Sequence, residues 1–450
     1  MACTSIAVGK NLTDTGCVLF AHSEELDITP HRLISIPRKE YSDSDRFIGI
    51  SGGPEIVQPK MTYAYIAAAV PDKKWYPGDI SSGVNEMQVA IANNMSWTRE
   101  VPTREKGYAW KLADGALIWT EFSQLVLERA KKARAGIDII SHFHEKYALS
   151  GDPGTMYMIA DPNEAWYIEM AVNGQWIAKR IADDGFHTLA NAFTIGVFDF
   201  DDPNILYSED LVRYAIDKGW YKEGDGAFNF KDVYGEPENQ KCDANLLRIE
   251  MADYFLKDQD RINKQKLMAV LRSAYEGTEK YDPDPVTGSV WDRDTRVMST
   301  LDTDESAVVE FRRDFPVEIG TTIWWTLATS KVSPYIPYYS GALVFPEEYA
   351  DAGMKEDCSA YWVNRKLTSL VHKHYSRVFG RVKETWDSFE KETFDMQKEI
   401  EDKALALTKA KGACAGIEYL NAFSNKRAAI AYKMALDLSS YIEKEFGCQQ

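Results

Sequence analysis

The sequence predicts an α+β protein whose antiparallel sheets and helical layers follow one another along the chain instead of interleaving as βαβ units. Three observations predict it: a strand-like hairpin at the N-terminal end, a three-strand meander near the middle, and a last hundred residues with little strand-like alternation.

Residues 4–8 (TSIAV) and 17–21 (CVLFA) are β-prone runs joined by the polar stretch 9–16, and they read as a hairpin. Apolar residues at helical spacing over 116–135, and again over 137–149, predict two helices, with Gly151 capping the second. The meander occupies 155–160, 165–170 and 175–180, with turns at 161–164 and at Asn173-Gly174. Asn-Gly between aromatic and β-branched runs is a strong hairpin signal, because both residues accept positive φ. Residues 203–290 read as short helices and loops rich in Asp, Gly and Pro, and strands return at 307–311 and 320–327. Beyond Pro346 the chain turns to charge-rich amphipathic segments, 359–393 and 413–446. The expected division is a sheet-bearing domain over residues 1–350 and a helical C-terminal extension over 351–450.

Composition excludes several classes. Hydrophobic residues at 45% and charged residues at 27% are ordinary for a packed globular chain. A net charge of -17 with no basic stripe argues against a nucleic-acid partner. No stretch approaches the roughly 18 apolar residues of a membrane span, and no basic-then-apolar leader opens the chain, so neither a membrane partner nor export is expected. Six scattered cysteines without CxxC spacing fit reduced thiols in a cytoplasm. His142/His144 and His372/His374 stand two apart, which on a helix points the rings to different sides, so neither pair suits one metal ion. No phosphate loop, GxSxG elbow or GxGxxG fingerprint is present, and no metal or cofactor is expected.

Cys3 is the sharpest chemical feature. Once Met1 and Ala2 are removed, its thiol lies beside a free α-amine of unperturbed pKa about 7.7 to 8.0, able to take the thiol proton and return it to a leaving amine. One residue then supplies nucleophile and base. The competing reading is a small buried residue in an edge strand, and position alone does not choose between them.

The choice comes from a series of segments kept in order: ACTSIAVGK over 2–10 with Asp14-Thr-Gly16, GVNE over 83–86 with Val89-Ala-Ile91, WYIE over 166–169 with Gln175-Trp176 and Arg180, Ala190-Asn191, Ile195-Gly196, the run 199–203, Arg296-Val-Met-Ser299, Phe311-Arg312, Tyr335-Ile-Pro337 and Tyr361-Trp362. Together, over roughly residues 2–370, they resemble the C69 (U34) dipeptidases, cysteine N-terminal-nucleophile (Ntn) hydrolases related to penicillin acylases and bile-salt hydrolases. The resemblance implies an αββα four-layer sandwich of two antiparallel sheets with a helical C-terminal extension. It implies hydrolysis of dipeptides or small amides through a thioester acyl-enzyme, without cofactor, and assembly into homo-oligomers, for which the acidic helical end is a candidate interface. Residue by residue, Cys3 matches the nucleophile, Asn191 an asparagine that helps hold the developing oxyanion, and Arg296 an arginine near the nucleophile. Asn191 also reads as a turn residue, and Arg296 as a partner of Asp292 or Asp294.

Two departures stand out. The family continues its second strand as "AR.ED", whereas residues 21–25 here are AHSEE. His22 replaces an always-charged fork with a group that titrates near neutrality, and Glu25 carries its carboxylate one methylene further. These changes either tune the site to a different substrate or mark a member that has lost activity. A non-catalytic, secernin-like binding or scaffold protein is therefore the rival reading, and an N-acyl amide acylase or acyltransferase is a third.

Overall fold

The computed structural model describes residues 2–49, 53–71, 80–100, 115–150, 153–171, 174–342, 344–353 and 355–446. The opening hairpin forms as expected: β1 (Ala2–Val8) and β2 (Leu19–Glu25) pair antiparallel, with Val8 opposite Leu19 and Cys3 opposite Glu24. Next come β3 (Arg32–Ile36), β4 (Tyr65–Ala69), β5 (Ile80–Asn85) and β6 (Ala90–Met95), then the meander β7 (Thr155–Ala160), β8 (Ala165–Met170) and β9 (Trp176–Arg180). β10 (Phe186–Leu189), β11 (Ile205–Tyr207), β12 (Thr303–Phe311), β13 (Thr321–Leu327) and β14 (Ile336–Tyr339) complete two large antiparallel sheets. Their orders are β10-β1-β2-β12-β13-β14 and β11-β9-β8-β7-β6-β5-β4-β3. Of the Asn173-Gly174 turn, Asn173 lies outside the described residues, and Gly174 takes φ 82°.

Strand alternation sorts the layers. Ala7 and Phe20 face the second sheet and meet Ala92 and Met158, whereas Ile6, Val8, Leu19 and Ala21 face outward. The outward set packs on α3 (Asp243–Leu256) and α4 (Lys264–Leu271) through Met251, Leu256 and Leu267. On the far side of the eight-stranded sheet, α1 (Trp119–Arg129) and α2 (Ala133–Tyr147) seat Phe122, Leu125, Ile137 and Ile140 on Ile91, Ile159 and Ile168. The result is the αββα sandwich that the resemblance implied. Each fully buried Leu, Ile or Phe contributes about 1.5–3 kcal/mol to holding the layers together.

One boundary differs from expectation. The first helix pair breaks at residues 130–132, where Ala130 and Lys132 are extended, and not at Gly136. Gly136 lies inside α2 because a Cβ there would come 3.0 Å from the side chain of Ile159, so the missing side chain lets helix and strand approach. Gly151, expected as a cap, lies outside the described residues.

The last part is helical: α5 (Ala360–Lys373), with the Ser359 hydroxyl accepting from Trp362 N, then α6 (Tyr375–Lys411) and α7 (Ala413–Phe446). Trp386, Phe389, Leu438 and Ile442 join the same apolar cluster as Phe20 and Trp325. Two largely buried ion pairs pin α6 to the sheet side of the molecule, Arg272 Nη1 to Glu390 Oε2 at 2.8 Å and Arg312 Nη2 to Glu401 Oε2 at 2.9 Å. The outer face of α6 carries exposed i,i+4 pairs such as Lys391–Asp395 and Lys398–Asp402, which belong to a solvated helix surface. No described helix is long and apolar enough to cross a membrane.

Candidate active site

Cys3 lies near the start of β1, an interior strand of the six-stranded sheet, and is 2% exposed. Its surroundings are polar. The backbone N–H of Cys3 donates to Asn191 Oδ1 at 2.9 Å, and Arg248 Nη1 donates to the Cys3 carbonyl at 2.6 Å. Arg248 Nη2 donates to the same Asn191 Oδ1 at 2.7 Å and to Asn245 Oδ1 at 2.8 Å, while Nη1 also reaches Thr4 Oγ1 at 3.0 Å. Asn191 Nδ2 donates to the Met95 carbonyl at 2.9 Å. What Asn191 presents to Cys3 is therefore its carbonyl oxygen, because two donors, an amide N–H and a guanidinium, converge on that point.

The thiol points the other way, into the space between the sheets. Sγ donates to Glu24 Oε1 at 3.2 Å, and Glu24 Oε2 lies 3.1 Å from His22 Nε2. Hairpin register accounts for the meeting, since Cys3 pairs with Glu24 and Ser5 with His22, and alternate residues share a face. Glu25 falls on the opposite face, where it accepts from Ser23 Oγ at 2.6 Å and forms an ion pair with Arg296 Nη2 at 2.9 Å. Arg296 is thus a partner of Glu25, while Asp292 bonds instead to His372 Nε2 at 2.6 Å.

All five sequence candidates lie in one neighbourhood, with His22 on the thiol side and Glu25 and Arg296 on the helix side. Sequence reasoning passed over Glu24 and Arg248. Glu24 was open to discovery from the hairpin alternation; Arg248 sits on α3 in a segment that offered no motif.

The electrostatics follow from burial. The Cys3 thiol is held well above its ordinary pKa, first by desolvation and then by the carboxylates of Glu24 and Glu25. Burial pushes His22 below its usual value against the pull of Glu305 and Glu25, so its ring is neutral near pH 7. Glu305 is pushed up to about 7 by burial, with His22, Ser82 and Ser81 opposing. Arg248 comes down to about 10, from burial and then from Arg296. Of the histidine pairs set aside earlier, His144 is buried with Nε2 on the Ala171 carbonyl at 2.8 Å, and His142 packs edge-on to Phe143.

Residues 2–256 and 247–388 match the model of a family described as Peptidase family C69. A "Probable dipeptidase" of Latilactobacillus sakei is 26% identical over 399 residues, covering 83% of this chain and 82% of the relative. A "Probable dipeptidase B" of Streptococcus pyogenes serotype M1 is 26% identical over 446 residues, covering 91% and 87%. Among solved structures, the penicillin V acylase of Agrobacterium tumefaciens is similar at 12% identity and a TM-score of 0.38, covering 75% of this chain and 86% of that one.

Proposed function

Because the chain belongs to peptidase family C69, and so is a peptide or amide hydrolase, we propose that it hydrolyses dipeptides with the thiol of Cys3 as nucleophile and the α-amine of the same residue as base. The observation that carries this reading is the bond from Cys3 N to Asn191 Oδ1, with Arg248 bracing both the asparagine and the Cys3 carbonyl. While Ala2 is attached, that nitrogen is a peptide nitrogen whose lone pair is delocalised and takes no proton. Cleavage ahead of Cys3 turns it into an amine already anchored by a fixed acceptor.

The amine accepts the proton from Sγ, and the thiolate attacks the scissile carbonyl carbon. The C–N bond breaks as the ammonium returns a proton to the leaving amine, leaving a thioester on Cys3. Water attacks the thioester, its proton passes to the α-amine and on to the thiolate, and the acid departs. Asn191 serves as oxyanion donor by exchanging the Met95 carbonyl for the substrate oxygen at Nδ2, a role of about 3 kcal/mol for a preorganised donor. Arg248 holds a positive charge beside the carbonyl of the nucleophile residue, and Arg296 offsets Glu25 on the helix side. Residues 351–450 act as a helical brace on the catalytic part over 1–350.

Intact-mass measurement joined to a dipeptide panel tests the reading. Loss of the residues ahead of Cys3 is expected, and Cys3→Ser should lower turnover by about a thousandfold or more while leaving the melting temperature near that of the parent. Equal turnover by mutant and parent would remove Cys3 from the mechanism.

A further inference from the structure

The sulfur of Cys3 faces a row of sealed polar groups that the proposed mechanism does not use. From Glu24 the row continues through His22 Nδ1 to Ser5 Oγ at 2.9 Å and from Ser5 Oγ to Asn94 Oδ1 at 2.6 Å. Glu305 stands 3.9 Å from His22 Nε2, with its Oε1 accepting from Ser81 and Ser82, both at 2.9 Å. None of Cys3, Ser5, His22, Glu24, Asn94 and Glu305 is more than 3% exposed.

Acidic and neutral polar groups line the thiol's side of the sheet. β2 brings Glu24 and, on its other face, Glu25; β12 brings Glu305; β6 brings Asn94 and the backbone of Met95. Among the described residues, the side-chain cations around Cys3 include Arg248 of α3 and Arg296 ahead of β12. Arg248 donates to Cys3 O, Thr4, Asn191 and Asn245, and Arg296 pairs with Glu25. At position 22, where the "AR.ED" pattern puts a permanent cation two residues from Glu24, the chain has a buried imidazole held neutral by desolvation.

We propose that Glu24, oriented by His22, keeps the Cys3 thiol protonated at rest, so that the charge carried by the 22–24 pair sets how readily the sulfur ionises. Glu24 is a positioning residue for the thiol proton. Ionisation removes one proton from Sγ and leaves two adjacent anions, thiolate and carboxylate, in a largely desolvated site. A proton on Glu24 or a cation at position 22 removes that conflict, and the two groups titrate as a pair. Ordering the thiol hydrogen onto Glu24 also directs Sγ away from Asn191, so activation requires the proton to leave that bond. The inference rests on Cys3 being the nucleophile.

The test is the pH profile of iodoacetamide alkylation at Cys3, read peptide by peptide in the mass spectrometer, with exposed Cys358 and Cys414 as internal references. In the parent the Cys3 rate should still be climbing at the alkaline end of the range. Glu24→Gln keeps the shape and deletes the charge, and His22→Arg supplies the cation; each should move the Cys3 midpoint down by one pH unit or more while the reference profiles stay in place. A Glu24→Gln profile superimposable on the parent overturns the inference, and its near-isosteric side chain serves if His22→Arg does not fold. Failure is separable from failure of the nucleophile assignment. An inactive Cys3→Ser with an unmoved Glu24→Gln profile sinks only the Glu24 role. A fully active Cys3→Ser sinks the mechanism whatever the profile does.

Discussion

Replacing Arg248 with methionine probes the brace behind Cys3. The guanidinium is fully buried and donates to the carbonyls of Ala244 and Cys3, to Thr4 Oγ1, and to the side-chain oxygens of Asn191 and Asn245. Charged hydrogen bonds of this kind contribute about 1.5–3 kcal/mol each, so five of them represent a gross loss of about 7 kcal/mol or more. Against this, methionine fills much of the volume and removes a desolvated cation whose burial itself costs several kcal/mol. The net destabilisation should therefore be about 2–4 kcal/mol, measured by urea unfolding. Activity should fall further than stability: with Asn191 and the Cys3 carbonyl both untethered, kcat/KM on a dipeptide should drop about a hundredfold or more, as for other small misplacements of reacting groups. Arg248→Lys, with one compact ammonium in place of a fork, should fall between. An Arg248→Met protein that is folded at the assay temperature and retains the parental kcat/KM would refute the reasoning.

Other outcomes follow from the same geometry. Glu305, with a folded pKa near 7 against 4.5 unfolded, is a carboxyl that the native state keeps protonated. Its contribution is present below pH 4.5 and lost as pH rises through 7, so stability should decline across that window; Glu305→Gln should flatten the slope by up to about 1.4 kcal/mol per pH unit, read from melting temperatures, and an unchanged slope would count against it. Glu390→Ala leaves Arg272 without its carboxylate and should cost about 3–5 kcal/mol in thermal unfolding, far more than removing Asp395 from its exposed pair with Lys391. Gly320→Ala drives a Cβ into the Gln88 side chain and to 2.9 Å from the Arg312 carbonyl, and should destabilise by about 1–3 kcal/mol in the same assay.

The elements most legible in the sequence were those governed by short-range patterning. Alternation and turn chemistry marked the hairpin at 2–25 and the meander at 155–180, and composition marked the helices after residue 359. The break near residue 131 was misplaced because the apolar spacing runs on through it to residue 135, while Gly136, between the two expected segments, answers to Ile159, 23 positions on and in another layer. Within the site, position raised Cys3 as a candidate and the ordered family segments chose it, whereas its pairing with Glu24 went unread although the ends of the hairpin were visible. Arg248 was not legible for a different reason. A helical arginine is ordinarily a solvated residue, and the oxygens that bury this one come from strand β1 and from residue 191, far away in the chain.

The order of strands in the six-stranded sheet also bears on how the molecule is made. β1 and β2 leave the ribosome long before β12, yet β2 has β12 as its other neighbour, and the contact between Leu26 and Asp304 spans 278 residues. At ribosomal rates of about 5–20 residues per second, the newborn hairpin waits roughly a quarter of a minute to a minute for that strand. Through that interval its β2 edge is unpaired and open to wrong partners, which makes it the segment most in need of chaperone cover. The polar surroundings of Cys3 draw on residues as distant as Glu305 and come together only when translation of β12 is done.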